Sequence, residues 1–130
     1  MDDKIQEENE LTVPKDIETN IAKKVESLKL ENPKLKAIFP IIVFGGEYDE
    51  KEIYVGYFRQ PSFNSFSKYL SASQSNQAIA MRMLATDCFL EGDKELIDDD
   101  SLFMFGLMGQ LSKVIEMRHG KLVNLSKPVK

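Results

Sequence analysis

The chain is poor in the side chains that most often carry metal or nucleophilic chemistry, since its 130 residues include one cysteine and one histidine. The single cysteine, Cys88, excludes a disulfide within the chain and is typical of a reducing compartment. His119 has neither a second histidine nor a nearby cysteine with which to complete a set of metal ligands. We therefore expect no metal, no cofactor and no enzymatic activity.

Long apolar runs and an excess of positive charge are missing as well. Residues 37–44 form an apolar stretch far shorter than the roughly 20 residues that cross a bilayer. The acidic start of the chain, residues 1–4, is not followed by the apolar segment of a signal peptide. With a net charge of −4, the chain lacks the basic patch that a nucleic-acid surface normally needs. These absences predict a cytoplasmic protein with neither a membrane nor a nucleic acid as partner.

What the sequence does contain is the composition of one folded domain. Of its residues, 42% are hydrophobic and 29% are charged, and a length of 130 residues is typical of a single domain. Residues 1–12 are rich in acids and predict a mobile tail. Residues 13–120 predict one α+β domain, and residues 121–130 a second tail.

The domain begins with a predicted helix. Pro14 opens it, a position where the missing N–H of proline costs nothing. Pro33 ends it, because the residue before a proline is pushed out of the α region. One apolar stripe at helical spacing runs along the helix: Ile17, Ile21, Val25 and Leu28.

A β-hairpin is predicted next. Residues 36–44 and 52–59 are rich in β-branched and aromatic side chains, and Gly45-Gly46 with a charged loop separates them. Pro40 lies inside the first strand and has no N–H for a ladder hydrogen bond. It should therefore lie on an exposed edge or at a bulge.

Three helices are predicted to follow the hairpin. The first begins at Ser62, the second is capped by Ser75 or Asn76 and stops at Gly92, and the third covers residues 101–118. The apolar face assigned to the second helix consists of Ile79, Ala80, Met83, Leu84, Cys88 and Phe89. The predicted fold is α+β: an N-terminal helix, a β-hairpin, then a C-terminal bundle of about three helices.

Two glycines and several apolar residues set the last helix apart. Gly106 and Gly109 each cost about 1 kcal/mol relative to alanine inside a helix. They indicate close approach of another backbone, either within the domain or from a second subunit. This helix has apolar groups on more than one side, and we expect a partner to cover some of that surface. The residues concerned are Phe103, Met104, Phe105 and Met108.

An acid-rich stretch, residues 87–100, invites comparison with a calcium-binding loop. Counting from Asp87, Gly92 falls at the sixth position of an EF-hand loop. Phe89 occupies the third position and Asp98 the twelfth, where an oxygen ligand and a glutamate are needed. Helix caps and a solvated loop explain these acids better.

Short motifs carry a resemblance to a known family. In order they are residues 57–62 (YFRQPS), 88–93 (CFLEGD), 99–103 (DDSLF) and 109–111 (GQL). This arrangement resembles the tail assembly chaperones of long-tailed bacteriophages, especially phage-derived proteins of the Bacteroides type. The resemblance covers about residues 35–118. The chain differs from the family pattern in having Phe89 in place of tryptophan and Gln60 in place of an acid.

The resemblance implies a protein-binding function. Such chaperones bind the long, largely helical tape measure protein until tail tube subunits polymerise around it. We would thus expect the tape measure protein as partner, with the tail tube protein as a further candidate, and self-association into a homo-oligomer. The alternative is a structural virion component, such as a minor tail or head–tail connector protein. The residues predicted to meet a partner are Tyr57, Phe58, Arg59, Phe103, Met104 and Met108.

Overall fold

The computed structural model describes residues 13–45, 52–115 and 122–123. Its first element is helix α1 (Lys15–Glu31). It starts and ends where the sequence predicts. The carbonyl of Pro14 accepts the first hydrogen bond, from the N–H of Glu18 at 3.0 Å. At the other end, the backbone N–H and the side-chain amide of Asn32 both donate to the carbonyl of Leu28 at 2.9 Å and so satisfy a carbonyl of the last turn.

Three antiparallel strands form one sheet in the order β1 (Ile38–Phe44), β2 (Ile53–Arg59), β3 (Phe89–Gly92). The predicted hairpin is confirmed as the β1–β2 pair, and its loop at residues 46–51 lies outside the described residues. β1 is an edge strand and Pro40 is exposed within it, as the missing N–H of proline predicts.

The third strand corrects the sequence prediction. We expected a helix to continue through Phe89 to a stop at Gly92, but the helix ends at Cys88 and the next residues pair with β2. Phe89 adopts extended backbone and packs its ring edge-on against Phe58, with centroids 5.6 Å apart. The N–H of Val55 donates to the Asp93 carboxylate at 2.9 Å and so holds the end of β3 against β2.

Gly92 is needed for the backbone of β3 and not as a helix stop. Its φ of +124° lies in a region that side chains rarely adopt. A Cβ at this position would lie 2.4 Å from the carbonyl oxygen of Val55, so the close approach of β3 to β2 also requires glycine.

Apart from one single-turn helix, the helices described after the hairpin start at side-chain caps. They are α2 (Phe63–Ser73), α3 (Gln77–Cys88), the single turn α4 (Glu95–Asp98) and a continuous helical stretch, residues 100–115, called the C-terminal helix below. Ser62 accepts from the N–H of Ser65, Asn76 from that of Ile79, and Asp99 from that of Leu102, at 2.9–3.1 Å. The predicted starts are confirmed, while residues 116–118 of the predicted last helix lie outside the described residues.

The C-terminal helix is not uniform. α5 (Asp100–Leu102) leads into a π-helical turn, Phe103–Leu107, and then into α6 (Met108–Ile115). A π turn contains an extra residue, which changes the side that the following residues face. Phe103 and Leu107 are buried in the core, while Met104 and the largely exposed Phe105 face away from it.

The sheet buries a core on each face. The larger core lies between the sheet, α3, α4 and the C-terminal helix: Ile41, Val43, Phe58, Met81, Leu84, Ala85, Cys88, Leu96, Ile97, Phe103, Leu107 and Leu111. On the other face α1 covers the sheet through Leu28, which packs with Ile38 and Tyr57. An ion pair between Lys24 and Glu91 joins α1 to β3. The result is an α+β fold, as predicted, with helices on both faces of a three-stranded sheet.

The two glycines of the C-terminal helix have different surroundings. A Cβ on Gly106 would lie 2.5 Å from Cγ1 of Val43, so this glycine allows the helix to approach β1 within the domain. The neighbour is a side chain and not the backbone that the sequence suggested. A Cβ on Gly109 would meet nothing within 4 Å. Close packing inside the described domain therefore explains Gly106 but not Gly109.

Several sequence predictions concern residues outside the described part. These are the two tails, apart from Leu122 and Val123, together with His119. Within the described ranges, no helix is both long and apolar enough to cross a membrane.

Candidate protein-docking groove

The residues predicted to meet a partner are placed in different surroundings. Tyr57, Phe58 and Phe103 are all less than one-tenth exposed and belong to the two cores. The structure therefore assigns all three to packing in the folded domain. Contact with a partner through Tyr57 or Phe58 would require the cores to open, whereas Phe103 also lines the groove described below.

Arg59 has a role within the domain. Its Nε and Nη2 donate to the carbonyl oxygen of Asp87, at 3.2 and 3.0 Å, in the last turn of α3. A guanidinium at this position satisfies a carbonyl that the helix leaves unpaired and suits the negative end of the helix dipole. Arg59 thus ties β2 to the end of α3.

Of the six predicted residues, Met104 is exposed and Met108 is half-buried. Met104 lies on the wall of an open groove of about 350 Å³, which we call the α3 groove. The groove is lined by Lys68, Ala78, Ile79, Arg82, Met83, Thr86, Asp87, Phe103 and Met104. Three helices position these residues, because Lys68 belongs to α2, Phe103 and Met104 to the C-terminal helix, and the others to α3.

The apolar part of the groove is exposed to solvent. Ile79 is 58% exposed, Met83 43% and Met104 42%. Ile79 and Met83 are four residues apart on α3 and so lie on one side of it, one turn from each other. Most of the groove is formed by α3 and the C-terminal helix, which share the main core. Its walls are therefore anchored by packing and not carried on loops.

The sequence groups Ile79 and Met83 with Ala80, Leu84 and Cys88 on one broad apolar face, but the structure divides this face between the core and solvent. Ala80, Met81, Leu84, Ala85 and Cys88 fill the side that meets the core. α3 carries more apolar residues than one packing face accommodates. The sequence therefore indicates the apolar pair Ile79 and Met83, but it does not show that both side chains are exposed.

Charged side chains stand beside the apolar floor. The guanidinium of Arg82 lies over the Phe103 ring, 4.9 Å from its centroid, and its Nη2 pairs with Asp100 at 2.8 Å. Its Nε is buried without a hydrogen-bond partner among the described residues. Lys68 and Asp87 are both exposed on the rim. The groove thus combines an apolar floor with rim charges of both signs.

A second apolar groove, of about 510 Å³, lies where the start of β1, the β2–α2 connection and the end of the C-terminal helix meet. Its lining includes the largely exposed Phe63 and no charged side chain: Ala37, Phe39, Gln60, Pro61, Ser62, Phe63, Phe66, Val114 and Ile115. Ile115 is the last described residue of the helix, so the chain continues beyond the described residues at the edge of this groove.

Candidate metal ligands do not cluster in the described part of the chain. No three histidine, cysteine, aspartate or glutamate side chains within it are arranged to hold a metal ion. Cys88 is fully buried in the main core, and desolvation by that burial raises the pKa of its thiol to about 11. A thiol in these surroundings is protonated at neutral pH and packs as a small apolar group.

Comparison with known proteins gives a fold and no function. No protein-family model matches the chain, and no curated protein matches it significantly. A solved structure of the uncharacterised protein rbstp2171 from Bacillus stearothermophilus is similar, with 19% sequence identity and a TM-score of 0.51. The match covers 76% of this chain and 98% of that chain. At this identity the likeness shows a common fold alone.

Proposed function

We propose that this protein is a phage tail assembly chaperone that holds helical segments of the tape measure protein in its α3 groove. The observation that carries the proposal is the exposed apolar floor formed by Ile79, Met83 and Met104 on packed helices. An amphipathic helix places its apolar residues at i, i+3, i+4 and i+7, and docking them in an apolar groove is a recurring mode of recognition.

The side chains of the floor suit a chaperone. Met83 and Met104 are unbranched and flexible, and methionine-rich surfaces adapt to ligands of different shape. A long helical client presents many related apolar stripes and not one fixed epitope. Covering such stripes removes the surfaces through which unassembled copies of the client would aggregate.

The order of the sequence motifs also supports this function. The segments at residues 57–62 and 88–93 resemble those of tail assembly chaperones, and such chaperones bind the tape measure protein before the tail tube forms. A cytoplasmic location and binding to tail tube subunits belong to the same proposal. Gene order tests it at once: a tail tube gene upstream and a very long tape measure gene downstream are expected, and the absence of both would contradict it.

A direct test is co-expression with fragments of the protein encoded by that long downstream gene. The wild-type chain should raise the soluble fraction of a helical fragment, and the double variant Ile79→Asp with Met83→Asp should not. Leu30→Asp is the matched control, because Leu30 is an exposed apolar residue on α1, away from the α3 groove. Circular dichroism of each variant checks that the exposed substitutions leave the fold intact.

Two outcomes would count against the proposal. Equal solubility of the fragment with the wild-type chain and the groove variant would exclude the groove as the client site. Recovery of this protein from purified phage particles, at a fixed number of copies, would favour a structural virion component. A chaperone should be absent from mass spectra of the particles.

A further inference from the structure

We infer that the α3 groove selects helices that carry an acidic side chain beside their apolar stripe, and that Lys68 forms an ion pair with this acid. The inference rests on the proposed function and specifies its partner. Lys68 is exposed at the rim and makes no ion pair with any described residue. The other cation of the groove, Arg82, is already engaged by Asp100 and by the Phe103 ring.

Lys68 and Arg82 line the groove from two neighbouring helices. α2 and α3 are joined by three residues, 74–76, and pack against each other. An acid on the side of a docked helix that faces α2 would therefore meet the ammonium of Lys68.

Asp87, the acidic residue of the rim, restricts where along the docked helix the acid can lie. Asp87 lies five residues beyond Arg82, or roughly 7–8 Å further along α3 at a rise of 1.5 Å per residue. An acid at this end of the docked helix would be repelled. Since the chain as a whole carries a net charge of −4, the attraction is local to Lys68 and not a property of the whole surface.

The test uses three fluorescein-labelled helical peptides with the same leucine stripe and with glutamate, glutamine or lysine at one flanking position. Fluorescence anisotropy measures the Kd of each for the full chain at low and at physiological salt. The glutamate peptide should bind about two- to fivefold more tightly than the lysine peptide, the range of an exposed ion pair. Added salt should reduce this ratio.

Lys68→Glu should reverse the order of the glutamate and lysine peptides. Lys94→Glu is the matched control, since it changes the net charge equally at an exposed lysine that does not line the groove. It should leave the preference unchanged. A reversal with both variants would assign the effect to net charge and overturn the role of Lys68.

The outcomes separate this inference from the proposed function. Equal affinity of the three peptides for the wild-type chain, with binding lost in the Ile79→Asp, Met83→Asp variant, overturns the charge selection and leaves the groove as a helix site. Failure of every peptide to bind the wild-type chain overturns the groove as a helix site and, with it, the proposed mode of client binding.

Discussion

The guanidinium of Arg82 lies over the ring of Phe103, 4.9 Å from its centroid, and joins α3 to the C-terminal helix in the lining of the α3 groove. The ion pair of Arg82 with Asp100 connects the same two elements. The walls of the candidate site are therefore held together by a residue that also lines it. A substitution of Arg82 therefore changes both the stability of the domain and the surface that would bind a helix.

Arg82→Ala should lower the free energy of unfolding by about 1–2 kcal/mol, because it removes the stem packing and the cation–π contact with Phe103. Arg82→Met should cost less, since it keeps the stem and removes an Nε–H that is buried without a partner in the described structure. Urea unfolding measures both. Lys94→Ala, at an exposed site, serves as the control and should stay within about 0.5 kcal/mol of the wild type. A larger loss for methionine than for alanine would refute this explanation.

The two glycines of the C-terminal helix should respond in opposite directions to alanine. Gly106→Ala should destabilise by about 1–3 kcal/mol, because its Cβ would overlap the stiff, buried side chain of Val43. Gly109→Ala should stabilise by about 0.5–1 kcal/mol, because the new methyl group meets open space and alanine favours a helix. Thermal and urea unfolding measure both effects.

Val43→Ala provides the internal check on the glycine prediction. If the clash with Val43 is the cause, the double variant with Gly106→Ala should lose less stability than the sum of the two single losses. Strict additivity would mean that Gly106 is required for another reason. A loss of stability in Gly109→Ala would indicate that this glycine already packs against a second copy of the chain, the alternative that its spacing raised.

Cys88 should be inert in the folded protein and should make stability depend on alkaline pH. Its folded pKa of about 11 lies above the ordinary value of 9.0, so the folded state holds the proton more tightly than the unfolded state. The resulting stabilisation is complete below pH 9 and is lost as the pH rises from 9 to 11, by at most about 1.4 kcal/mol per pH unit. Cys88→Ala should show a shallower decline, as measured by urea unfolding across this range.

Chemical labelling tests the burial of Cys88 independently. A thiol reagent at pH 8 should leave the native protein unmodified for as long as it stays folded and should label one thiol per chain in denaturant. Rapid labelling of the native protein would show that α3 opens at low cost and would remove the basis of the pH prediction.

Much of the fold follows from signals that act within a few residues. Pro14 and Pro33 bound α1, and Ser62, Asn76 and Asp99 start helices because their side chains bond to a backbone N–H three residues ahead. The sequence alone therefore determined where most elements begin. The missing N–H of Pro40 restricted its strand to an edge or a bulge, and the order of the strands in the sheet decided for the edge.

Pairing and burial were decided only by the tertiary structure, because they depend on partners distant in the chain. Phe89 continues a helical pattern, yet its contact with Phe58 and the pairing with β2 draw it into a strand. Ile79 and Ala80 are equally apolar neighbours by sequence, but one is exposed in the α3 groove and the other lies in the core. Local chemistry fixes where helices start, whereas the side of a helix that becomes a binding surface depends on which neighbours compete for the space around it.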